Sequence, residues 1–231
     1  MLKSPRLTAR MAGLFYLLMM LVGGVAAFAR RDLIVKNDAA ATATAIIAHH
    51  SAFTVSFAAE IFVTVFYLVV VALLYRLLKP VNPSLALADA FLGLTGCIVQ
   101  ACATAFMIAP FVVLGGADYL NVFRTDQLQA ISYMFLRLYS QTYGIAIIFF
   151  ALYCLIAGYM IYRSTFLPRI VGVLLMIAGA AWLTFLSPTF GAAYLRPYIM
   201  PFAIGEAVLT LWLLVKGVDV ERWKESALSS V

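Results

Sequence analysis

The sequence is poor in charge and carries no familiar catalytic landmark. Charged residues make up 11% of the chain, against roughly a quarter in soluble domains, so the polar coat of a water-soluble globule is missing. The two histidines, His49 and His50, are adjacent. On a helix such neighbours point about 100° apart, so they do not form a chelating i, i+4 pair. A bis-histidine haem site needs its histidines on facing segments, and these share one. Surface polarity and protonation sensing remain as roles for them. Cysteine is scarce too: Cys97, Cys102 and Cys154 all lie inside apolar stretches, at spacings that fit neither a zinc site nor a disulfide framework. They read as small hydrophobes. H-E-x-x-H, G-x-S-x-G and the P-loop are absent. Ser140 and Ser187 have no intramembrane histidine to activate them. No metal or cofactor is expected, and an enzyme is not favoured.

What the chain has in abundance is apolar length. Hydrophobic residues reach 65%, gathered into six runs, each long enough for a hydrocarbon core that needs about 20 residues per helix. The runs cover about 11–29, 53–78, 85–114, 131–162, 167–186 and 198–215. They are two to three times the length of a barrel strand and do not alternate in polarity. In lipid their backbone groups must be satisfied internally, which helices achieve. The predicted fold is therefore all-α, a polytopic bundle of six transmembrane helices forming a single domain over 1–231, with no length left for a soluble domain. Pro110 is expected to kink or end the third helix. Lys3, Arg6 and Arg10 before the first run resemble a signal peptide's start. That run is long for a signal, however, and Phe28-Ala29-Arg30-Arg31 lacks a small-x-small cleavage pattern, so a retained helix is expected.

The net charge of +6 is not a nucleic-acid signal, because no basic groove is interleaved with aromatics. The cations sit at segment ends, where they set topology and meet anionic headgroups. With the N-terminus inside, ten Lys and Arg residues face the cytoplasm. Five (Arg30, Arg31, Lys36, Arg124 and Arg196) face out, and Arg137 falls within a helix. This asymmetry places both termini in the cytoplasm. In the long first outer loop, Asp38 is suited to cap a short alanine-rich helix over 39–47; an extended start to the second span is the alternative. Tyr75-Arg76 with Pro80 and Tyr162-Arg163 with Pro168 echo each other at the inner interface. Snorkelling side chains explain that echo as well as an internal repeat does.

Four ionisable residues are out of place in hydrocarbon: Glu60, Asp89, Arg137 and Glu206. Asp89 is near enough to the inner interface to pair with Arg76 or Lys79. Glu60, Arg137 and Glu206 each lie roughly 9–12 Å below the outer end of their helix, at about 1.5 Å per residue. A shared depth on three helices allows convergence, either as a structural network that fixes helix packing or as a proton- or cation-coupled binding site. Tyr133, Arg137, Ser140, Gln141 and Gly144 follow i, i+4, i+7, i+8, i+11 and share one helix face, flanked by Tyr139 and Tyr143. Such a stripe belongs toward a bundle interior, where Gln100 and Thr104 of the third span are placed to contribute. Gly93, Gly96, Gly172 and Gly179 read as close helix packing.

Several stretches carry a family likeness. They are Thr8-Ala9-Arg10-Met11-Ala12-Gly13-Leu14-Phe15-Tyr16, then Leu74-Tyr75-Arg76-Leu77-Leu78-Lys79-Pro80, then the long run from Phe149 to Leu175 that contains Tyr162-Arg163-Ser164-Thr165-Phe166-Leu167-Pro168-Arg169. Gly205-Glu206-Ala207 and Leu211-Trp212-Leu213-Leu214-Val215-Lys216-Gly217 close it. Over nearly its whole length the chain resembles the bacterial DUF4386 family of integral membrane proteins. The resemblance implies a multi-pass protein of a bacterial inner membrane and sets Glu206 in a family-like stretch. It supplies neither substrate nor catalytic role. Family members often carry an arginine where this chain has Leu92.

The functional expectation is a membrane protein that binds or moves a small molecule or ion through an outward-facing polar pocket. The candidate lining residues are Glu60, Tyr133, Arg137, Gln141, Gln100 and Glu206. Its expected partners are the bilayer and that ligand, with a homo-oligomer or a membrane partner protein as further possibilities. A non-catalytic sensor or partner subunit is the alternative. A membrane-embedded lipid-modifying enzyme is a second one, because paired carboxylates can do acid–base work without a named motif.

Overall fold

The computed structural model describes residues 4–186 and 204–229. Among them every regular element is helical: α1 (Pro5–Arg30), α2 (Ala39–Ala48), α3 (His50–Leu78), α4 (Pro83–Ala105), α5 (Ile108–Val113), α6 (Thr125–Arg163), α7 (Arg169–Trp182), α8 (Ile204–Val215) and α9 (Val220–Ser229). Short 3-10 turns occupy Asp118–Leu120 and Leu183–Leu186. Five stretches are long and apolar enough to cross a membrane: Pro5–Arg30, His50–Leu78, Pro83–Val113, Thr125–Arg163 and Arg169–Leu186. The sixth expected span, 198–215, begins outside the described residues, as do Ser187 and Arg196. Its described part is the apolar helix α8.

Local chemistry explains where these helices start and stop. Asp38 caps α2, its carboxylate accepting from the Ala41 N–H at 2.8 Å, which satisfies a donor that the first turn leaves open. The backbone breaks at His49, so α2 is a separate helix and not an extension of α3. The third span breaks before its proline. Pro110 has no N–H to bond the Phe106 carbonyl, and its ring crowds that oxygen. The Phe106 carbonyl instead accepts from Ala109 at 3.3 Å, and the preceding N–H groups close three-residue turns onto Ala103 and Thr104. Helix α4 therefore ends at Ala105, and α5 carries Pro110 on its own short turn and a half.

The chain segregates into two compact units. Unit 1 comprises Met1–Leu18, Val65–Cys97 and Gly144–Val231; unit 2 comprises Met19–Thr64 and Ile98–Tyr143. In unit 1, α6 and α7 approach backbone to backbone. A Cβ on Gly172 would stand 2.5 Å from the Gly158 carbonyl oxygen, and one on Gly158 would stand 2.7 Å from the Gly172 oxygen. Only glycine fits such a crossing. Tyr67 packs on Phe150 with ring centroids 4.3 Å apart and meets Tyr16 and Tyr153 at about 6 Å. The Trp223 indole of α9 donates to the Leu77 carbonyl at 2.9 Å, tying the last helix to the end of α3. In unit 2 the core is Leu33, Ile46, Phe53, Ala103, Met107, Leu136 and Tyr139. Phe111 packs onto Phe53 and Phe57, and His50 meets its ring edge-on.

Candidate functional site

The polar centre of unit 2 is built by α1, α3 and α6. Helix α1 ends on Arg30, and helical side chains lean back toward the N-terminus of their own helix. The guanidinium thus reaches back along α1, away from the loop that follows it. One of its nitrogens donates to Glu60 at 2.8 Å and another to the Ser56 hydroxyl at 2.9 Å. Ser56 donates in turn to the Ala26 carbonyl. Tyr139 on α6 donates to the same Glu60 oxygen at 2.8 Å, and its ring lies 5.0 Å beneath the guanidinium carbon, close enough for a cation–π contact. The Arg30 and Glu60 side chains are 16% and 6% exposed. A pair this dry must be hydrogen-bonded on several sides to offset its desolvation, and Ser56 and Tyr139 supply those bonds.

Beside this pair opens a cavity of about 510 Å³. Arg30, Glu60, Lys36, Tyr133, Arg137, Ser140 and Tyr143 supply its polar lining, and Ala27, Ile34, Val63 and Leu136 are among its apolar wall. The helix face expected on α6 therefore does turn to a cavity at Tyr133, Arg137 and Ser140. The Tyr133 hydroxyl accepts from the Asn37 N–H at 2.8 Å, which pins the first loop to α6. Asn37 takes a positive φ of 61° there, a conformation asparagine tolerates better than most residues. Arg137 is exposed and makes no ion pair among the described residues.

The remaining sequence candidates lie elsewhere. Gln141 is exposed and does not line the cavity. Gln100 is buried at 1% exposure with its amide nitrogen unpartnered, and it does not line the cavity either. The Thr104 hydroxyl donates back to the Gln100 carbonyl. Glu206 belongs to unit 1, where the Trp182 indole donates to one carboxylate oxygen at 2.6 Å and the Tyr16 hydroxyl to the other at 3.0 Å. No cation pairs with it among the described residues. Asp89 makes no ion pair with Arg76 or Lys79. It lies on the buried stripe of α4 with Ala86, Gly93 and Cys97, at 1% exposure and with one oxygen unpartnered. That stripe faces Val71 and Tyr153, which Gly93 meets one turn further on, so the carboxylate turns inward, away from the interfacial cations.

Arg30 is the residue that sequence reasoning misplaced, as an outer-loop charge. The available signal was its position as the last residue of a helix, from which a long side chain reaches back one to two turns. A second cavity, of about 550 Å³, lies in unit 1 at the junctions of α6 with α7 and α8 with α9. There Arg6, Lys216 and Arg222 are opposed by Asp219 and Glu221. No group of three or more His, Cys, Asp or Glu residues among the described residues could hold a metal.

The helices and their polar interior define a multi-pass α-helical membrane protein. A family model described as a domain of unknown function, DUF4386, matches residues 11–217, and the chain belongs to that family. Neither the curated proteins nor the solved structures contain a match to it.

Proposed function

We propose that this protein binds or moves a small molecule or ion through the cavity of unit 2, with Glu60, Arg137 and Tyr133 in its wall. One observation carries the reading: an exposed arginine, without an ion-pair partner among the described residues, on the wall of a cavity in a helix long and apolar enough to cross a membrane. An ionisable side chain in such a segment is costly, and cavities that handle polar ligands are where that cost is tolerated. The cavity lies beside the loop of α2, the side that the Lys and Arg asymmetry assigns to the outside, so the pocket opens outward and both termini are cytoplasmic. The presence of this cavity beside Glu60 favours the reading over a purely structural sensor or partner subunit. Catalysis by Glu60 has less behind it, because its carboxylate is engaged by Arg30 and Tyr139.

The test is thiol labelling from outside intact cells, in a Cys102→Ala background that removes the exposed native thiol. A water-borne, membrane-impermeant maleimide labels a Ser140→Cys variant. It leaves Leu138→Cys unlabelled, because that position is exposed yet lies on another face of α6, away from the cavity lining. Equal protection of both positions would overturn the pocket.

A further inference from the structure

We infer that the unit 2 cavity takes an oxyanion of the phosphate type, whether on a free solute or on a lipid headgroup. The inference rests on the proposed binding role of that cavity and specifies its ligand. Its wall holds three cations, Arg30, Lys36 and Arg137, and one carboxylate, Glu60. Arg30 and Glu60 close on each other at 2.8 Å, so that pair is internally compensated. Lys36 and Arg137 make no ion pair among the described residues, so the cavity presents two uncompensated positive charges. A cation or a protonated amine entering it would meet like charge.

The neutral groups point the same way. Asn37 N–H already donates to the Tyr133 hydroxyl, which leaves the Tyr133 O–H as a donor. The Ser140 hydroxyl lies on the same wall. A planar guanidinium grips two oxygens of a phosphate at once, and a lysine adds a point charge. Hydroxyl donors complete the shell. The apolar side of the cavity, with Ile34, Val63 and Leu136, suits the uncharged remainder of a headgroup or solute.

The experiment measures thermal unfolding of the full chain, first in a neutral maltoside detergent with inorganic phosphate titrated against sodium chloride of matched ionic strength. A second arm compares nanodiscs of phosphatidylglycerol with nanodiscs of phosphatidylcholine. Saturating phosphate is expected to raise Tm by about 5 °C or more. Arg137→Gln is expected to weaken the half-saturating phosphate concentration by about tenfold or more, with Arg137→Lys keeping part of the effect. Lys36→Gln, in an exposed loop, provides a second variant should Arg137→Gln fold poorly. A rise with phosphatidylglycerol alone, lost in the same variants, identifies a headgroup as the source and supports the oxyanion. No rise from either source overturns it, and so does a rise that sodium chloride reproduces or that both variants retain. Thiol labelling of Ser140→Cys on the same preparations separates the two readings. If labelling occurs without any phosphate or headgroup effect, the oxyanion falls and the cavity stands. If labelling fails, both fall.

Discussion

Glu60 and Glu206 both sit on apolar helices, Glu60 buried and Glu206 half-buried, yet the protein handles their charges by different means. In unit 2, Glu60 meets a guanidinium at 2.8 Å and a tyrosine hydroxyl at 2.8 Å. In unit 1, Glu206 meets no cation among the described residues and receives two neutral donors, the Trp182 indole at 2.6 Å and the Tyr16 hydroxyl at 3.0 Å. An ion pair cancels charge but leaves both partners dependent on each other, since removing one strands the other in a dry site. Neutral donors leave the charge in place and spread it over dipoles, so each donor is worth less. The same residue type is thus held by an opposite charge in one unit and by neutral dipoles in the other.

The comparison is broken most severely by splitting the ion pair. Arg30→Gln is expected to cost about 3–5 kcal/mol, because Glu60 is left buried without compensation, and the double variant Arg30→Gln with Glu60→Gln is expected to recover part of that loss. Thermal or denaturant unfolding in detergent reads both, and a double variant no better than Arg30→Gln would remove the ion pair from the account. Next in size, Trp182→Phe deletes a hydrogen bond to a carboxylate and is expected to cost about 1.5–3 kcal/mol. In a Glu206→Gln background the same substitution should cost less, because the charge that needed the donor has gone. In unit 2, Tyr139→Phe is expected to cost only about 1 kcal/mol by the same measurement, since Arg30 still holds Glu60. A loss as large as that of Arg30→Gln would make the tyrosine an equal partner. The smallest effect belongs to Arg137→Gln, whose unpaired side chain contributes within about 0.5 kcal/mol of nothing to folding. A large loss there would show that Arg137 is structural and would count against the ligand cavity.

Much of this was legible in the residues themselves. Asp38 before an alanine run announced a capped helix, Pro110 announced a break, and the glycines Gly172 and Gly179 announced a close crossing. The i, i+4, i+7 spacing on α6 put Tyr133, Arg137 and Ser140 on a common face that does line a cavity. Spacing carries such information because it is local: helix periodicity relates residues a few positions apart whatever the rest of the chain does. Depth along a helix was weaker information. It suggested Arg137 as the cation for Glu60, whereas Arg30 is the one that pairs with it, and Arg137 lines the same cavity without an ion pair among the described residues. Depth says how far down a side chain starts but not which neighbour it faces.

The sequence by itself therefore determined the helical class, the multi-pass character and the family, because bilayer thickness, backbone hydrogen bonding and helix periodicity act on contiguous residues. Only the tertiary structure decided the pairings. Arg30 with Glu60 joins residues thirty apart, Tyr139 with Glu60 joins residues seventy-nine apart, and Tyr16 with Glu206 joins residues one hundred and ninety apart. Each depends on which faces of separate helices are packed together, and on the backward lean of a long side chain from a helix end. Helix rotation and crossing are set by the summed packing of many side chains from distant parts of the chain, and no local pattern encodes that sum.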